Sequence, residues 1–111
     1  MEHKMGLYES PYNSMNSGRK TVEVRLYDEK RRKLNIGDTI KFTKLPDSHE
    51  TLVVEVIGLR QYPTFKEMYE SIPASDLDAV GDSIDEMVNQ TYKIYTPEKE
   101  KTVAITIKLL D

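Results

Sequence analysis

The sequence predicts a small α+β fold, a curled and mostly antiparallel β-sheet or barrel with helices packed against it. Three observations carry this reading. Alternating or β-branched runs stand at residues 21–26, 39–43, 52–59 and 103–110. Two capping boxes open amphipathic stretches between the third run and the last. At 111 residues, 38% hydrophobic and 32% charged, the chain is expected to form one domain over 1–111, with enough apolar content to bury a core. Several short strands with few helices point to a sheet that curls on itself.

The elements follow in order. Ser10-Pro11 predicts a helix start, with Ser10 at the N-cap and Pro11 at the first helical position. Tyr12 and Met15, three apart, face inward, and Gly18 is the C-terminal stop. From Thr21 to Leu26 the chain alternates, with Val22, Val24 and Leu26 on one face and Thr21, Glu23 and Arg25 on the other. Residues 28–35 are charged without a period and read as a loop or helical turn. Ile36-Gly37-Asp38 is a turn that launches a second strand, Thr39 to Thr43. A loop over Pro46–His49 precedes a third strand, Leu52 to Leu59.

Thr64 and Glu67 form a capping box after Pro63, and Phe65, Met68, Tyr69 and Ile72 mark an amphipathic helix that Pro73 stops. Residues 75–80 make one more turn, ended by Gly81. Ser83 and Glu86 form a second capping box, followed by the stripe Ile84, Met87, Val88, Thr91, Tyr92 and Tyr95, with Pro97 beyond its end. Val103, Ile105, Ile107 and Leu109 alternate in a closing strand. The expected order is helix, three strands, a helical insertion and a last strand.

Composition narrows function. With no cysteine, disulfides, thiolate metal sites and cysteine nucleophiles are excluded and a cytoplasmic home is expected. The start lacks the apolar stretch of a signal peptide, and no window approaches a bilayer-spanning length, so no membrane partner is expected. The net charge is −3, but residues 19–44 carry nine Lys or Arg against four acids, a local +5. Residues 67–86 carry seven acids and no base. Such segregation focuses a field on one face, or else neutralises itself across the fold.

The chemistry concentrates in residues 18–25, Gly-Arg-Lys-Thr-Val-Glu-Val-Arg. Lys20 offers an ammonium for a phosphate or a base carbonyl, and desolvation would make it a candidate base. Glu23 and Arg25, two apart on one strand face, lie side by side. Exposed, they would be a surface pair worth at most ~1 kcal/mol. In a cleft, Glu23 orients its cationic neighbours or takes a proton, and Arg25 presents a planar fork. Thr21 adds a hydroxyl. Tyr8, Tyr12, Tyr62, Tyr69, Tyr92 and Tyr95 offer stacking surfaces for a base. Tyr69, Tyr92 and Tyr95 fall at core positions, which leaves Tyr62, beside Pro63 and Arg60, as the preferred stacking residue. His3 and His49 read as surface residues. No phosphate loop, nucleophile elbow, zinc motif or calcium loop is present, so no cofactor or metal is expected.

Met5-Gly6-Leu7, then Gly18-x-Lys20-x-x-Glu23-x-Arg25, then Ile36-Gly37-Asp38-x-Ile40-x-Phe42 resemble the ASCH domain, a relative of the PUA domain. The helical insertion opened by Tyr62-Pro63 is similar to that of small bacterial single-domain members. The resemblance implies a PUA-like β-barrel with flanking helices and a cleft beside the signature that binds RNA or a nucleotide. Some small members are hydrolases, and one branch removes acyl groups from N4 of cytidine while others are linked to RNA cleavage. In the amidohydrolase branch a threonine nucleophile stands three positions after the signature lysine. Here that position is Glu23, and Thr21 does not match the spacing.

Three functions are therefore in competition. The first is a binding module for RNA, a nucleotide or a nucleoside, using Lys20, Thr21, Glu23, Arg25, Arg60 and Tyr62. The second is a hydrolase acting on a modified nucleoside or on RNA, with Lys20 as base or oxyanion partner and Glu23 relaying protons. The third is a protein-interaction module using the acidic helices of residues 64–95.

Overall fold

Alternation along the chain builds a five-stranded sheet in the order β1-β3-β4-β5-β2, from β1 (Glu2–Tyr8), β2 (Val22–Leu26), β3 (Thr39–Leu45), β4 (Thr51–Tyr62) and β5 (Thr102–Leu110). This is a computed structural model that describes residues 1–47, 49–95 and 101–110. Three helices pack on the sheet, α1 (Glu9–Asn16), α2 (Phe65–Ser71) and α3 (Ile84–Tyr92). The sheet curls into a half-barrel, so the expected α+β class holds. Every strand pair is antiparallel except β1 with β3, which run parallel.

The first strand is a correction to the sequence reading, which placed no strand before the first helix. Residues 2–8 do alternate: His3, Met5 and Leu7 are buried, while Glu2, Lys4 and Tyr8 are exposed. Their partner, β3, lies some thirty residues away, and Gly6 in the middle weakens the local signal. His3 is corrected with it. It is buried, and its Nε2 lies 2.8 Å from Asp38 Oδ2.

β1 also changes the start of α1. The strand feeds the helix directly, so Tyr8 is the N-cap and makes no side-chain cap bond. Ser10 falls inside the helix instead of capping it. Pro11 still sits in the first turn, where its missing N–H forfeits no helical hydrogen bond. Gly18 ends the segment as expected. At φ +84° it occupies the left-handed region, and its N–H donates to Met15 O at 3.1 Å.

Thr64 and Ser83 cap α2 and α3, each accepting from the backbone N–H three residues on, Glu67 and Glu86, at 3.1 Å. The turn expected near 75–80 is a 3-10 turn at Ala74–Asp76, and the irregular 28–35 segment contains another at Arg31–Lys33. Pro97, expected beyond the end of α3, lies outside the described residues. β4 runs three residues past its expected end and carries a bulge between Val56 and Gly58. A Cβ at Gly58 would lie 3.2 Å from Thr106, closer than side chains normally approach.

The sheet separates two apolar clusters. Its concave face, with α1, buries Met5, Leu7, Tyr12, Met15, Ile40, Phe42, Val54, Val103 and Ile105. The opposite face, under α2 and α3, buries Val22, Phe65, Met68, Tyr69, Ile72, Met87 and Ala104. β5 serves both by alternation. Since directly opposed residues share a face, Glu23 opposite Ile105 and Arg25 opposite Val103 lie on the barrel side of β2. The polar face of that strand therefore looks inward, towards the seam between the two edge strands β1 and β2.

Candidate functional site: a buried ion-pair cluster in a cleft

The Gly18 stop turns the chain so that Lys20 forms an isolated bridge with Leu77, and Thr21 N donates to Asp76 O at 2.8 Å. The start of β2 is thereby clamped to the segment between α2 and α3. Alternation then aims Glu23 and Arg25 at the β1 edge. All three charged side chains are largely withdrawn from water, with Lys20 8% and Glu23 5% exposed.

Glu23 lies between two cations. Its Oε2 accepts from Arg25 Nη2 at 2.8 Å and from Arg25 Nε at 3.0 Å. Its Oε1 lies 3.4 Å from Lys20 Nζ. Burial pushes the Glu23 carboxyl up, but Lys20 and Arg25 together outweigh it and hold the group below the ordinary glutamate value. Burial disfavours the charged Arg25, yet Glu23 and Tyr95 more than compensate and raise it above the ordinary arginine value. Glu23 and Arg25 are therefore both ionised at neutral pH.

Arg25 has a second task. Its Nη2 donates to Gly6 O at 2.7 Å. Lys30 Nζ reaches Lys4 O on the same strand. Two side chains thus cover carbonyls on the free edge of β1, where a closed barrel would have placed another strand. Arg25 was expected to offer its fork to a ligand. That fork is instead occupied by Glu23 and Gly6, so Arg25 positions the cluster and closes the seam.

Above the cluster opens a cleft of about 620 Å³. Lys20, just ahead of β2, and Glu23 and Arg25 on it line the cleft, with Tyr8 and Ser10 from the β1–α1 junction and Thr91, Ile94 and Tyr95 from α3 and beyond. Tyr69 and Thr91 share a buried 2.6 Å hydrogen bond on the same lining. Burial drives the Tyr95 phenol up, opposed by Arg25. Asp78 and Asp82 place acid at the rim.

Two groups on this lining have spare donors. Lys20 makes one ionic contact, at 3.4 Å, longer than a good charge-assisted hydrogen bond, which leaves most of its three donors unused. Arg31 also lines the cleft. Its Nη1 holds Asp28 at 2.9 Å, but its Nε is buried with no hydrogen-bond partner among the described residues. A buried N–H without an acceptor is costly, and an anionic or carbonyl ligand would satisfy it.

The remaining expected site residues lie elsewhere. Thr21 does not line the cleft. Arg60 is exposed on β4 opposite Ala104, and Tyr62, opposite Thr102, packs against the cluster beneath α2 and α3. Tyr8, which the sequence reading named only as one of six stacking candidates behind Tyr62, and Arg31, which it did not single out, do line it. Arg31 belongs to the basic run 30–33, whose lack of period gave no direction. Among the described residues no group of three His, Asp or Glu side chains could hold a metal ion, and no helix is long and apolar enough to cross a membrane.

Comparison with known proteins identifies the same fold elsewhere. The crystal structure of hypothetical protein PH0355 superposes with a TM-score of 0.87 at 36% identity, covering 99% of this chain and 100% of that one. The solution structure of protein PF0455 from Pyrococcus furiosus gives 0.78 at 35% identity, over 100% and 99%. The ASCH protein of Zymomonas mobilis shares the fold at a TM-score of 0.62 and 18% identity, over 96% of this chain and 66% of that one. No curated protein matches the chain. The ASCH domain matches residues 5–111, a span that includes the Lys20–Glu23–Arg25 cluster and the β1 edge it closes upon, and the chain therefore belongs to the ASCH domain family.

Proposed function

We propose that the cleft binds RNA or a nucleotide-like ligand, with Lys20 and Arg31 as the groups that meet its phosphate or base carbonyl. The observation that carries this reading is the spare donor capacity of two largely buried cations on one lining. The cleft, at about 620 Å³, falls within the roughly 300–1,000 Å³ of small-molecule sites. Asp78 and Asp82 at the rim oppose an extended polyanion, so the footprint is short. Lys20, Glu23 and Arg25 form the preset floor.

The hydrolase reading rests on the family resemblance. Glu23, held below its ordinary value by two cations, is a poor proton acceptor at neutral pH, which favours binding over general-base chemistry.

The test is an NMR titration of labelled protein with cytidine, N4-acetylcytidine and a short single-stranded RNA, following protein amides and ligand signals together. Shifts clustered at residues 18–25 and 31, with the ligand unchanged, are expected. Lys20→Ala should weaken that binding at least about tenfold while the folded spectrum persists, the scale of one charge-assisted contact. Release of cytidine and acetate would establish the amidohydrolase instead. No shifts with any of the three would overturn the nucleotide reading.

A further inference from the structure

The cleft does not end at Tyr8. A second concavity, about 710 Å³, adjoins it and is lined by Asn13, Ser14, Arg19 and Pro46 among others. The two share Tyr8, Ser10 and Leu45 in their linings, so Tyr8 stands on the divide between them. Arg19 on the groove side pairs with Asp78 on the cleft side, Nε to Oδ2 at 3.2 Å. The divide therefore has an aromatic ring and a solvent-accessible guanidinium.

Tyr8 is unusual for a large ring in this molecule. It is 60% exposed, whereas Tyr12 and Tyr69 are buried in the two apolar clusters. As the N-cap of α1 it contributes no side-chain hydrogen bond to the helix. Its backbone is fixed by pairing with Leu45 across β1 and β3, so the ring is held on a rigid element while its side chain does little for the fold. A ring so placed, between two concavities whose linings carry Lys20 and Arg31 on one side and Arg19 with Glu9 on the other, suits a base that stacks while its phosphate is held nearby. Sequence reasoning preferred Tyr62 for this role, but Tyr62 packs beneath the helices.

We propose that the ligand is a single-stranded dinucleotide step: one nucleotide occupies the cleft beside Lys20 and Arg31, and the adjoining base stacks on Tyr8 as the strand passes towards Arg19. This rests on the nucleotide reading of the cleft and deepens it, because it makes Tyr8 the residue that separates a strand from a free nucleotide.

The experiment is calorimetric titration of the full chain with three matched probes for each of the four bases: the nucleoside 5′-monophosphate, the nucleoside 3′,5′-bisphosphate, and the 5′-phosphorylated homodinucleotide. The bisphosphate carries the linking phosphate without the second base. For at least one base the dinucleotide is expected to bind about tenfold more tightly than either smaller probe, within the range that one stacked base contributes. Tyr8→Ala should remove that advantage, so that the dinucleotide binds the variant no more tightly than the monophosphate does, and Tyr8→Phe should keep it. The inference is overturned if the bisphosphate gains as much as the dinucleotide, or if Tyr8→Ala weakens all three probes equally. If monophosphates bind and dinucleotides gain nothing, the inference falls and the nucleotide reading stands. If no probe binds, both fall.

Discussion

Arg19 and Lys20 are neighbours in the chain, and each pairs with a carboxylate, yet the two pairs belong to different electrostatic regimes. In the Arg19–Asp78 pair the side chains are 59% and 33% exposed, and in the Lys20–Glu23 pair 10% and 6%. Water and salt screen the first, and its members remain well solvated if the pair breaks. The second has lost most of its hydration, so each member depends on the others for compensation. The difference arises from one residue of chain direction after Gly18. Arg19 stays on the surface, and Lys20 enters the bridge to Leu77 that carries β2 into the seam. Burial, more than distance, decides which pair costs more to break.

The largest effect is expected at Glu23. Glu23→Gln leaves Lys20 and Arg25 buried without a counter-charge and should cost about 3 kcal/mol, read from urea denaturation at pH 7. The pH profile gives an independent check. The folded carboxyl lies below its ordinary value of 4.5, so the unfolded chain binds this proton more readily. The stabilisation is complete above the ordinary value and is lost as pH falls from there through the folded one. Glu23→Gln should remove that contribution to the profile, leaving the slopes from Asp38 and Asp78, whose carboxyls are also held low. Adding Lys20→Met to the variant should recover part of the loss, because one uncompensated charge is removed. Strict additivity would mean that Lys20 and Glu23 are not coupled.

A smaller loss is expected at Arg25, where charge can be kept and geometry removed. Arg25→Lys retains a cation for Glu23 but not the planar fork that also reaches Gly6 O. A loss of about 2 kcal/mol is expected, the scale of a hydrogen bond to a charged group. Amide exchange in β1 should quicken more than in β4, since Arg25 ties the free edge of β1 to β2 while β4 is paired on both sides. Equal protection of β1 in variant and parent would show that the seam is held by packing alone.

The ingredients of this site were legible in the chain, but its burial was not. Alternation at 21–26 put Glu23 and Arg25 on one face, and the signature spacing singled out Lys20. Whether that face meets water depends on β1, on the segment around Leu77 and on Tyr95, none of which is local to β2. The parallel pairing of β1 with β3 is non-local, and Gly6 interrupts the run that would have announced it. Capping shows the same division. Thr64 and Ser83 were readable because a hydroxyl three residues before an acid is a local device. Ser10 misled because the preceding strand, not a loop, sets the start of α1. The preference for Tyr62 over Tyr8 as an exposed ring failed to match the cleft for the same reason. Tyr62 ends a strand under a helix, and Tyr8 ends one at an open seam.

The smallest effect is expected at Arg19, and it tests the comparison most directly. Arg19→Ala removes a pair whose 3.2 Å contact is shorter than the 3.4 Å one between Lys20 and Glu23, so a reading based on distance alone predicts at least as large a loss. Solvation predicts otherwise. Asp78 keeps its access to water, so no buried charge is orphaned when the guanidinium is removed. The urea midpoint should not move at physiological ionic strength, and any shift seen in low salt should vanish as salt is added. A loss comparable to that of Arg25→Lys, persisting in high salt, would mean that Arg19 and Asp78 brace the turn mechanically. The stability of the β2 entrance would then depend on that brace as well as on the bridge between Lys20 and Leu77.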